Sequence, residues 1–66
     1  MEKHLNLHLN APVEIVKTGS GLDMATGKNL GKATEGLVDF YIILLDEPLP
    51  DRLAVIMPEV CLILMS

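Results

Sequence analysis

Three hydrophobic runs, at residues 37–45, 53–57 and 60–65, fill the last thirty residues of this chain. Proline-bearing acidic breaks separate them: Asp46-Glu47-Pro48-Leu49-Pro50-Asp51 and Pro58-Glu59. This half holds 20 of the 33 hydrophobic residues, and its composition is dense in Val, Ile and Leu. Proline or glycine interrupts every stretch long enough for a helix, so the pattern argues for consecutive β-strands. The runs do not suit a membrane span. Unbroken apolar runs, such as 40–45, reach only six residues, against the roughly 20 a spanning helix requires.

At 66 residues there is room for one domain, spanning 1–66. A domain of this size buries only about 60% of its unfolded surface, so its stability is marginal and a staple is expected. Cys61 is the only cysteine, so an internal disulfide cannot be that staple. A lone cysteine among Val60, Leu62 and Ile63 reads as a packed, inert thiol and fits a reducing compartment. The first residues lack the basic start and apolar stretch of a secretory signal, and the expected location is cytoplasmic.

The first half is patterned differently. Leu5, Leu7 and Leu9 alternate with His4, Asn6, His8 and Asn10, which predicts a strand over 3–10 with one wet face. After Pro12, Val13, Ile15 and Val16 predict a second short strand. Residues 17–36 carry all five glycines, with Ser, Thr, Asn and Lys between them. That composition predicts a long flexible loop.

The expected fold is therefore all-β: a small five-stranded barrel or curled antiparallel sheet with a long Gly-rich loop. The ending from Leu53 to Leu64, with Pro58-Glu59 between two apolar runs, resembles the close of a Src-homology-3-type barrel. Those barrels end in a strand, a short Pro-containing helical turn and a final strand. The segment Val13 to Val16, the Gly-rich stretch and then Gly36-Leu37-Val38 also resembles the start of small KOW-like barrels. The resemblance covers about three quarters of the chain and implies a fold only. Peptide-binding members use several groove aromatics, and here only Phe40 and Tyr41 exist; nucleic-acid-binding KOW members tend to be basic. The strand at 3–10 is extra to the minimal pattern.

Charge is uneven along the chain. Residues 1–36 balance Glu2, Glu14, Asp23 and Glu35 with Lys3, Lys17, Lys28 and Lys32. Residues 37–66 set Asp39, Asp46, Glu47, Asp51 and Glu59 against Arg52 alone, so the whole net charge of −4 lies there. Phosphate backbones repel such a surface, which disfavours nucleic acid as a partner. A KOW-type alternative would use Lys17, Lys28 and Lys32. Asp46, Glu47 and Asp51 form a candidate contact for a basic protein partner. Together with Asp39 they also suggest an alternative, an acidic inhibitor that occupies a basic site.

Recognisable catalytic patterns fall short. Gly21 to Asn29 is close to a phosphate-binding loop, but it has five residues between the glycines instead of four. Asn29 also stands where Ser or Thr should hold Mg²⁺. His4 and His8 on a strand lie roughly 13 Å apart, too far to share one metal within a chain, leaving only a metal between subunits. No cofactor, metal site or nucleophile–base pair is expected, and the chain reads as non-enzymatic. What remains is association. A curled sheet has one inside face, yet three runs are apolar on both faces. Tyr41, Ile43, Leu45 and Ile63 are the candidate interface, and self-association as a homo-oligomer is the expected outcome.

Overall fold

The computed structural model describes residues 7–34 and 36–65. These form five antiparallel strands in one sheet: β1 Pro12–Ile15, β2 Thr26–Thr34, β3 Phe40–Leu49, β4 Arg52–Pro58 and β5 Leu62–Leu64. A 3-10 turn, Glu59–Cys61, joins β4 to β5. The strand order is β4-β3-β2-β1-β5, and the sheet is curled but not closed into a barrel. The expected all-β class and curled sheet therefore hold.

The curl follows from connectivity. A flat sheet in this order would separate β4 from β5 by about 19 Å, at about 4.8 Å per strand. The link from Pro58 to Leu62 reaches at most about 14 Å even when fully extended. The sheet must bend to bring its edges together at that end. Two backbone hydrogen bonds hold the bend. The Glu59 N–H donates to the Asp39 carbonyl at 3.0 Å, and the Val16 N–H donates to the Cys61 carbonyl at 2.8 Å. At the other end the edges part. There Leu53 and Leu64 are exposed, although each alternates with a core residue, Val55 or Leu62, on the same face of its strand.

Inside the curl lie Val13 and Ile15 of β1, Tyr41, Ile43 and Leu45 of β3, Val55 of β4 and Leu62 of β5. Leu7, Leu22, Ala25, Leu49 and Met57 pack against them from the rim. The core is almost wholly aliphatic, as a chain with one Phe and one Tyr requires.

Several elements differ from the sequence reading. The largest correction is β2: half of the Gly-rich stretch 17–36 is not a loop but the central strand, paired with β1 on one side and β3 on the other. Its glycines serve close approach rather than flexibility. A Cβ on Gly27 would stand 2.5 Å from the Leu44 carbonyl oxygen and 2.8 Å from Ile43 Cγ2, so only glycine lets β2 lie this near β3. Gly31, with φ of 134°, adopts a backbone shape that other residues avoid, at a register shift next to Asn29.

The predicted strand at 3–10 is not seen where it can be judged: Leu7 and His8 are irregular and Leu9-Asn10 is a turn, while residues 3–6 lie outside the described residues. β3 starts later than expected, at Phe40, and continues through Asp46, Glu47 and Pro48. The expected turn at 46–51 shrinks to Pro50-Asp51. Between the pairs Leu44↔Ala54 and Leu49↔Arg52 the register slips, and Pro48 sits in that slip, where no ladder bond is asked of it. The last run gives its first residues to the 3-10 turn, leaving three for β5.

Candidate functional site

β3 decides what the sheet shows to solvent, because both of its side-chain sets are apolar. Tyr41, Ile43 and Leu45 point into the curl and are buried. The alternate set, Phe40, Ile42 and Leu44, points outward. Register extends that face onto β4: Ile42 stands opposite Ile56, Leu44 opposite Ala54 and Phe40 opposite Pro58. Leu44 is 37% and Ile56 58% exposed, and Ile42, Ala54, Ile56 and Arg52 line a shallow hollow of about 410 Å³. Lys28 of β2, opposite Leu44, borders the same face.

This changes the candidate interface. Tyr41, Ile43 and Leu45 are buried in the core and do not form an outer face, although Leu45 reaches the floor of a groove beside the hairpin, while Ile63 of β5 is 48% exposed. Period two separated the two sets of β3 but could not choose between them. The choice is made by β1 and β5, whose Val13, Ile15 and Leu62 meet the odd-numbered set. Tyr41 keeps a polar neighbourhood at the rim. Lys32 Nζ lies 5.9 Å from its ring centroid and 3.3 Å from an Asp39 oxygen.

The acidic hairpin is solvent-facing, with Asp46, Glu47 and Asp51 all exposed. Asp51 pairs with Arg52 at 3.6 Å, and one Asp46 oxygen accepts the Thr26 hydroxyl at 2.7 Å. Asp39 precedes the other end of β3, roughly 23 Å from Asp46 at about 3.3 Å per residue. The four carboxylates therefore do not make one surface. The lysines also divide. Lys28 shares a face with Leu44 and Lys32 with Tyr41, which puts them on opposite sides of the sheet.

A groove of about 420 Å³ opens beside this hairpin, between it and the segment 21–26. That segment is well held. Asp23 accepts the Thr18 hydroxyl at 2.6 Å, the Thr18 N–H at 2.7 Å and the Gly19 N–H at 3.1 Å. The hydroxyl bond, followed by the Thr18 N–H, holds the Asp23 carboxyl below its ordinary 3.8. Ser20 adds a bond to the Leu22 N–H at 3.1 Å.

Asn29 is a structural residue that sequence reading passed over as a failed Mg²⁺ position. It is buried in β2. Its amide donates to the His8 carbonyl at 2.9 Å and the Leu7 carbonyl at 3.4 Å, and its oxygen accepts the Gly31 N–H at 3.0 Å. One side chain thus pins the segment 7–10 to the sheet and shapes the bulge. An Asn with a glycine two residues to either side, Gly27 and Gly31, was the available signal. No phosphate loop forms, since 26–29 is strand. His8 is exposed and bonds its neighbour's carbonyl at 3.0 Å; His4 lies outside the described residues. Cys61 is half-buried, its thiol 3.9 Å from the Lys17 carbonyl. No helix among the described residues is long and apolar enough to cross a membrane. No protein-family model, curated protein or solved structure matches the chain.

Proposed function

We propose that this chain is a non-catalytic β-domain that works by association, first with a second copy of itself, in a reducing cytoplasmic setting. The observation that carries the reading is the outer face of β3 and β4, where Ile42, Leu44, Ala54 and Ile56 are contiguous in register and two of them are substantially exposed. Small domains rarely tolerate such a face without covering it. Burying about 500 Å² of apolar surface per subunit would contribute on the order of 12 kcal/mol gross, before the costs of association. For a domain of 66 residues that gain adds to an otherwise modest stability.

The fold itself reads as a curled relative of the Src-homology-3-type barrels. The return of β5 to β1 after a 3-10 turn supports this. A KOW-type use of the lysines draws no support from their placement on opposite faces. Light scattering at micromolar concentration tests the association. A mass above the 7.2 kDa of one chain is expected, falling to one chain in Ile56→Lys. A wild-type mass of one chain at micromolar concentration would sink the proposal.

A further inference from the structure

The groove beside the acidic hairpin is distinct from the outer face of β3 and β4, and its chemistry is different. Its floor is apolar: Leu45 belongs to the core, and Leu22, Ala25 and Leu49 pack against that core from the rim. Its wall carries Asp46 and Glu47, and none of its lining residues is cationic. Neither carboxylate has an ion-pair partner among the described residues, whereas Asp39 and Asp51 each have one. The Thr26 hydroxyl fixes one Asp46 oxygen at 2.7 Å and leaves the other open. Thr18, Ser20 and Asp23 fix the facing segment, so little ordering is left to be done on binding.

We propose that this groove binds an extended peptide segment of another protein in which an Arg or Lys stands next to a Leu-sized apolar residue. The apolar residue occupies the floor between Leu22, Leu45 and Leu49. The cation meets Asp46 and Glu47 at the wall, with Arg favoured because its fork can engage two carboxylate oxygens. A groove of about 420 Å³ has room for this pair of side chains. The wall carboxylates exclude nucleic acid and acidic peptides by repulsion, and the apolar floor discriminates against bare polycations.

The test uses the full chain, isotopically labelled, with three probes at low salt: a capped Leu-Arg-Leu-Arg peptide, its Leu-Gln-Leu-Gln counterpart, and spermine. NMR shifts are expected with the first probe alone, centred on 21–26 and 45–49. The double variant Asp46→Asn, Glu47→Gln should weaken binding at least about ten-fold. Asp39→Asn, at the far end of β3, should leave it within about two-fold. Ile56→Lys should also leave it unchanged, so that loss of self-association and loss of the groove read out separately. The proposal is overturned if the Arg peptide fails to bind. It is also overturned if spermine or the Gln peptide binds as well, if the double variant matches wild type, or if the shifts map elsewhere.

Discussion

β2 and β3 are the two longest strands and lie side by side, nine and ten residues, yet they are made in opposite ways. β3 is spelled out by its own side chains, an aliphatic run that favours extended backbone wherever it is placed. β2, with the sequence TGKNLGKAT, has almost no β preference of its own. It is a strand because β1 and β3 supply ladders on both sides, because glycine lets it fit under Leu44, and because Asn29 satisfies itself and its neighbours. One strand is dictated locally and the other by its surroundings. Substitutions should therefore act on them through different physics.

The sharpest break in that comparison is Gly27→Val. Valine has the higher strand propensity, but its Cβ would collide with backbone at 2.5 Å. A loss of about 4 kcal/mol is expected, enough to abolish the cooperative urea transition of so small a domain. A stable Gly27→Val protein would show that propensity, not fit, governs β2.

On β3, Ile43→Ala should cost about 3 kcal/mol by emptying a fully buried site. Its neighbour Ile42→Ala should cost under about 1 kcal/mol in dilute monomer and act instead on self-association. Paired denaturation curves with light scattering check both, and equal losses would erase the two-faced reading of β3.

Asn29→Ala removes the side-chain bonds to the Leu7 and His8 carbonyls and from the Gly31 N–H, leaving the His8 carbonyl with the Ala11 N–H alone, at a cost of about 2 kcal/mol. Faster hydrogen exchange at Asn10 and Gly31 should accompany it. The smallest effect is at Asp23. Its carboxyl is held below 3.8 in the fold, so its contribution is present above that value and is lost as pH falls through the lower, folded value. The amide signals of Thr18 and Gly19 should lose their hydrogen-bonded shifts in that acid window, while the core signals hold. Asp23→Asn should abolish this local transition.

The same contrast explains what the sequence could reveal. β3, β4 and the proline corner before β5 are legible because their side chains carry the signal. β2 is hidden because Gly27 and Gly31 read as turn residues until a neighbouring strand is there to need them. At the surface, the exposed acidic cluster of Asp46, Glu47 and Asp51 is visible from spacing alone. Its facing wall at 21–26 is twenty or more residues away in sequence and joins it through the β2–β3 ladder and the Thr26–Asp46 hydrogen bond. The outward face was half legible. An excess of apolar surface was evident, but which alternate set of β3 stays outside depends on Val13, Ile15 and Leu62 arriving from both ends of the chain.

That arrival has a kinetic consequence. β2, β3 and β4 form a meander of near neighbours, while β1 and β5 pair Val13 with Leu64 across almost the whole chain. Closing so long a loop for a strand of three residues is entropically the dearest step, so β5 docks last and detaches first. The molecule should breathe at this edge, baring Leu62 and the aliphatic side chains of β1 while the meander stays intact. Exchange at Ile63 and Met65 should run well ahead of that at Ile43, and the interval between them is when the chain is most open to mispairing with its neighbours.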